Sequence, residues 1–106
     1  TTIGNFVMID NQVHIGHNCI IEDFCILAGK VGISGSVSLG QNVTVGGGVN
    51  FSDNITIGEN SLIAGASNVF NSFPKNSKIG GSPAQDLMDW KKLIVSQRLN
   101  VKNRKK

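Results

Sequence analysis

The sequence predicts an all-β architecture: a parallel β-helix of hexapeptide repeats, about four coils long, followed by a C-terminal α-helix. Three observations predict it. An apolar residue recurs every six positions, corner-forming residues recur in phase with it, and near residue 74 the period gives way to a helical pattern. Stepping by six from Ile3 meets Ile9, Ile15, Ile21, Leu27, Ile33, Leu39, Val45, Phe51, Ile57, Ile63 and Val69, every one aliphatic or Phe. Four places after each member lies a second series: Val7, Val13, Cys19, Cys25, Val31, Val37, Val43, Val49, Ile55, Ser61, Ser67 and Phe73. With 40% hydrophobic residues in the chain, chance would fill the first series with odds on the order of one in 10⁵.

A period of six fits neither a helix, which repeats every 3.6 residues, nor a simple strand, which repeats every two. It fits a short strand plus a sharp corner. Three such sides close a triangular coil of 18 residues, and successive coils pair as parallel strands about 4.8 Å apart. Both apolar series then point inward and stack on their equivalents one coil away, as in the column Ile3, Ile21, Leu39 and Ile57. The corners agree. Asn stands three places after the large aliphatic at Asn18, Asn42, Asn54 and Asn60, and Asn tolerates the left-handed backbone a tight corner requires. Gly is expected to serve at the other corners. The first coil starts in mid-pattern at Thr1-Thr2-Ile3-Gly4, which predicts further coils upstream.

The repeat is expected over residues 1–73, a loop over 74–83 and a helix with a basic tail over 84–106. Pro74 and Gly80-Gly81-Ser82-Pro83 mark the loop. Beyond them Leu87, Trp90 and Ile94 fall on one helical stripe, with Leu99 nearby. Asp86 and Asp89 stand in the first turns and Lys102, Arg104, Lys105 and Lys106 at the end, as the helix dipole favours. So narrow a stripe is expected to pack on the prism or on copies of itself.

Charge is polarised. Residues 1–73 carry one basic and five acidic side chains, whereas residues 74–106 carry nine basic and two acidic. The formal +3 therefore hides a positive end that attracts an anionic partner. Nucleic acid is not the expected one: there is no Tyr, and the five Phe all lie outside the basic tail, so no stacking platform accompanies the charge. No apolar run approaches the roughly 20 residues of a membrane-spanning helix. Two Cys in a chain with no leader pattern read as reduced thiols of a cytoplasmic protein. Cys19 and Cys25 both fall on inward small positions, where packing explains them.

Two histidines could carry chemistry. His14 precedes the inward Ile15 and faces out, as does His17, two places after Ile15 on a corner. For each, a solvated surface side chain is the plain alternative. A zinc site would need three or four good ligands, and two His three apart at a strand–corner junction diverge, so no metal is expected. For His17 the spacing offers more. Gly35 lies one coil later at the same corner. A base and a backbone N–H about 4.8 Å apart suit acyl transfer. The imidazole takes the proton of an attacking amine or hydroxyl while the amide holds the tetrahedral oxygen. An acyl group delivered as a thioester needs no protein nucleophile.

The segment from Ile9 to Asn18, Ile-Asp-Asn-Gln-Val-His-Ile-Gly-His-Asn, resembles the active-site coil of the UDP-3-O-acylglucosamine N-acyltransferases of lipid A synthesis. So do Leu27 to Ser36 and the closing Gly81-Ser82-Pro83-Ala84-Gln85 with Trp90-Lys91-Lys92. The resemblance implies a left-handed coil, a homotrimer with active sites between subunits, and His17 as general base with Gly35 as oxyanion amide. It implies transfer of a 3-hydroxyacyl group from an acyl carrier protein thioester to the 2-amine of UDP-3-O-acylglucosamine, a UDP-sugar lipid, with no bound cofactor. The basic C-terminal region would meet the acidic carrier. Asn54 stands where the family often has a second His; it and His14 are candidate substrate contacts. The family's N-terminal uridine-binding domain has no counterpart, so this chain resembles the C-terminal third of such an enzyme. The same prism also suits an acetyl-CoA-dependent sugar acetyltransferase, or a non-catalytic trimeric solenoid.

Overall fold

Every six residues the chain lays down one two-residue strand and one corner. Strands β1–β12 start with Thr2–Ile3 and Met8–Ile9 and recur at that spacing to Asn68–Val69. In the computed structural model, which describes residues 1–104 and the side chains of residues 1–102, they stack into three parallel sheets. One sheet holds β1, β4, β7 and β10; the second β2, β5, β8 and β11; the third β3, β6, β9 and β12. The register advances 18 residues per coil, as in Ile3 opposite Ile21 and Leu39 opposite Ile57. The expectations for Lys105 and Lys106, and for the side chain of Arg104, lie outside the described residues.

The corners carry the conformational strain. Asn18, Asn42, Asn54 and Asn60 have φ of 57–62°, as their side-chain type predicts. Glycine's share is smaller than expected: only Gly48 among the in-phase corners is glycine, while Phe6, Gln12, Phe24, Lys30, Ser36 and Ala66 hold the same left-handed backbone. Each such residue costs on the order of 1 kcal/mol. The coil-to-coil ladder compensates, because the corner amide donates to the carbonyl below it. Asn42 N–H reaches Asp23 O at 3.0 Å and Asn60 N–H reaches Gln41 O at 2.8 Å.

Both apolar series face the interior. Ile21, Leu27, Ile33, Leu39, Ile57 and Ile63 are buried, and between them lie Cys19, Cys25, Val31, Val37, Val43 and Val49. Removing one such side chain from water contributes about 1.5–3 kcal/mol. The first coil is covered on one side only, so Ile3 remains 46% and Ile9 42% exposed.

The segment expected as a loop is the last turn of the prism. Phe73 bridges Ile57 and Ile79 pairs with Ile63, each sixteen residues on where earlier coils use eighteen. Two residues are lost at the corner before Phe73. Phe73 therefore takes a large-aliphatic slot, and Ile79, six residues later, covers Ile63 and is buried. Lys78–Gly81 (β13) is a fifth parallel strand on the second sheet, and Ala84–Asp86 (β14) turns back antiparallel to it. The shortened coil leaves amides out of register, and two buried serines answer them. Ser61 Oγ accepts from Ser77 N–H at 3.1 Å, and Ser67 Oγ accepts from Gly81 N–H at 3.2 Å.

The helix α1 (Leu87–Arg104) begins three residues later than expected. Asp86 caps it, its Oδ2 accepting from Met88 N–H at 3.1 Å and Asp89 N–H at 3.2 Å. Leu87 and Trp90 rest on Gly80 and Gly81. A Cβ on Gly81, whose φ is +98°, would stand 2.9 Å from Trp90 Cδ1. Leu87, Trp90 and Ile94 are half-buried, as their stripe predicts, but Leu99 and its neighbours beyond Ile94 are exposed. Among the described residues only the first turns of α1 pack on the prism.

Candidate active site

The corner between the third and first sheets carries residues 17, 35 and 53 at successive 18-residue steps. His17 enters it directly after β3 (His14–Ile15) and Gly16, because the inward-facing Ile15 and Cys19 on either side force the residue between them outward. Its ring is exposed and lies against the Cα of Gly35. A Cβ built on Gly35 would overlap the imidazole, standing 2.5 Å from Cε1 and 3.0 Å from Cδ2. Glycine here is what lets the ring approach so closely. The expected vertical neighbours are thus brought together.

The Gly35 amide is already engaged. The ladder uses the next amide along, Ser36 N–H donating to His17 O at 2.8 Å, and the one above, Asn54 N–H donating to Gly35 O at 3.0 Å. Gly35 N–H instead donates to Asp53 Oδ1 at 2.9 Å. Asp53 is exposed, Gly35 buried. Sequence reasoning missed Asp53; a second 18-residue step from His17 would have reached it.

The other candidates sit apart from this contact. His14 faces out from the third sheet opposite Gly32, on the flat side adjoining the corner. Asn54 is at the corner, exposed, with φ of 62°. The thiols are not poised as nucleophiles. Both are buried, Cys19 Sγ donates to Ser34 O and Cys25 Sγ to Gly40 O, each at 3.1 Å, and burial pushes the Cys25 thiol above its ordinary range. Among the described residues no three His, Cys, Asp or Glu side chains gather as a metal would need. No helix of the described residues is long and apolar enough to cross a membrane. Under the start of α1 a groove of about 680 Å³ is lined by apolar Phe73, Ile79, Leu87 and Met88 and by charged Lys75, Lys78, Lys91 and Asp86.

Three short sides per coil and inward aliphatics at a period of six define a hexapeptide-repeat β-helix. Residues 1–35 match the family of bacterial transferase hexapeptide repeats. Over most of its length the chain is homologous to the C-terminal part of proteins named UDP-3-O-acylglucosamine N-acyltransferase. It is 38% identical over 102 residues to UDP-3-O-acylglucosamine N-acyltransferase of Helicobacter hepaticus, covering 96% of this chain and 31% of that protein. It is 42% identical over 90 residues to the enzyme of that name from Methylorubrum extorquens, covering 85% of this chain and 26% of that protein. The chain thus spans less than a third of the length of these relatives. Among solved structures it superposes on UDP-N-acetylglucosamine O-acyltransferase from Moraxella catarrhalis with a TM-score of 0.78 and 31% identity, over 79% of this chain and 33% of that one. The shared fold is a left-handed parallel β-helix. Soybean serine acetyltransferase, at 23% identity and a TM-score of 0.75 over 80% of this chain and 39% of that one, shares the fold alone.

Proposed function

We propose that this chain is the catalytic prism of an N-acyltransferase that moves a 3-hydroxyacyl group from an acyl carrier protein thioester to the 2-amine of UDP-3-O-acylglucosamine. The observation that carries the reading is the His17 ring lying against Gly35. His17 takes a proton from the attacking amine as it adds to the thioester carbonyl. The Gly35 N–H holds the oxygen of the tetrahedral intermediate. Collapse of that intermediate expels the carrier thiolate, which regains a proton from His17, and leaves an amide. No cofactor enters these steps, because the thioester is already activated. His14 and Asn54, flanking the corner, contact substrate.

The names of the relatives support this substrate pair. The groove with Lys75, Lys78 and Lys91 supports an acidic carrier as donor. Assembly as a homotrimer would place a second prism over each corner, and the outward row of Met8, Ile26 and Leu62, each at least 42% exposed, offers apolar surface for it. Such an enzyme works in the cytoplasm, where the carrier protein is.

The test is turnover of the carrier-bound and the coenzyme A-bound acyl donor by the chain and by His17→Ala. The expected result is turnover with the carrier donor and a loss of at least about a hundredfold in His17→Ala, with unchanged circular dichroism. An unchanged rate in the variant ends the assignment of His17. Turnover with acetyl-coenzyme A in place of the carrier donor would move the chain to the sugar acetyltransferases.

A further inference from the structure

We propose that Asp53 is a built-in occupant of the oxyanion position, which the acyl donor must displace before reaction; this rests on the acyl-transfer reading above. At this corner the ladder consumes the amides of Ser36 and Asn54 and leaves Gly35 N–H without a backbone acceptor. A single glycine amide on the outer edge of a coil can be satisfied by water, by a side chain from the coil above or by a ligand. Asp53 supplies the side chain, with Oδ1 at 2.9 Å from the nitrogen. An oxyanion held by the same N–H would have to lie about 2.7–3.1 Å from it, in the same direction. Two anionic oxygens do not share that place. The carboxylate is exposed, so rotation of its side chain returns the charge to water and frees the amide.

Asp23 separates this role from a merely structural one. It makes the same contact one coil up from Asn5, its Oδ1 accepting from Asn5 N–H at 2.7 Å, at a corner without a histidine. An aspartate in this slot caps a corner amide in both places. What distinguishes Asp53 is that the glycine whose amide it caps packs its Cα against an imidazole.

Removing the occupant raises the fraction of chains able to receive the donor, so the apparent donor affinity improves by that factor. The experiment has two arms, each run on the wild-type chain and on Asp53→Ala, Asp53→Asn and Asp23→Ala. The first follows the Gly35 amide resonance by ¹⁵N NMR while acetate is added. The expected result is a saturable shift in Asp53→Ala and little response in the wild type and in Asp23→Ala. A wild-type amide that responds as strongly as Asp53→Ala overturns the proposal. The second arm measures donor KM and kcat. Asp53→Ala is expected to lower KM about tenfold without lowering kcat, Asp53→Asn to fall between, and Asp23→Ala to leave KM unchanged. An unchanged KM in Asp53→Ala, or an equal drop in Asp23→Ala, overturns it. Should the alanine variant not fold, Asp53→Asn, which keeps the size and one acceptor oxygen, decides both arms. If no variant turns over donor, the acyl-transfer reading fails, and with it the catalytic meaning of the contact; the acetate arm still decides whether Asp53 occupies the amide.

Discussion

At Gly35 a single missing methyl group permits the site. The backbone there is not left-handed, so alanine would be conformationally acceptable, and the three atoms nearest its Cβ would all belong to the His17 ring. That ring is exposed and free to swing into water. Gly35→Ala is therefore expected to change stability by less than about 1 kcal/mol while lowering turnover about as far as His17→Ala, on the order of a hundredfold. A thermal melt and a kcat measurement check the pair. The His17–Gly35 contact was legible in the sequence because an 18-residue step needs only the period. The use of the Gly35 amide was not, because which corner amides the ladder consumes is settled by backbone geometry. Asn54 shows the opposite limit: its residue type suits both a left-handed corner and a substrate contact, and the period does not separate the two.

The elements divide in the same way. One unbroken series from Ile3 to Val69 suffices to reveal the prism, since a side chain that must be buried every six residues admits few folds. The final coil escaped because its corner is two residues short and Pro74 reads as punctuation. The surviving signal was the six-residue step from Phe73 to Ile79. Corner glycines were over-expected, since left-handed Phe6, Phe24 and Lys30 carry no propensity signal and are held there by the ladder. Where the coil shortens, serine replaces the inward valine. Ser67 Oγ donates to Ala64 O at 2.6 Å and accepts from Gly81 N–H, joining the prism to the strand under the helix. Ser67→Ala orphans that amide and is expected to cost about 1–3 kcal/mol. Denaturant unfolding checks this, and a loss below about 0.5 kcal/mol would mean that Gly81 finds another acceptor.

Over the whole molecule, shape and charge run along one axis. The acidic prism carries the histidine corner, and the basic residues gather from Lys75 onward, at the last coil and along α1. On the proposed function, a donor held at the basic end would reach His17 along the side of the prism, and the catalytic pair would depend on the coils being stacked in register. That register is eighteen residues per coil through Val69, and it alone sets His17 beneath Gly35. The most direct measurement is a nuclear Overhauser effect between the His17 ring protons and the Gly35 Hα protons in the labelled chain. A strong cross-peak is the predicted result. Its absence, with His17 showing contacts only to its sequence neighbours, would contradict the coil and the catalytic pair together.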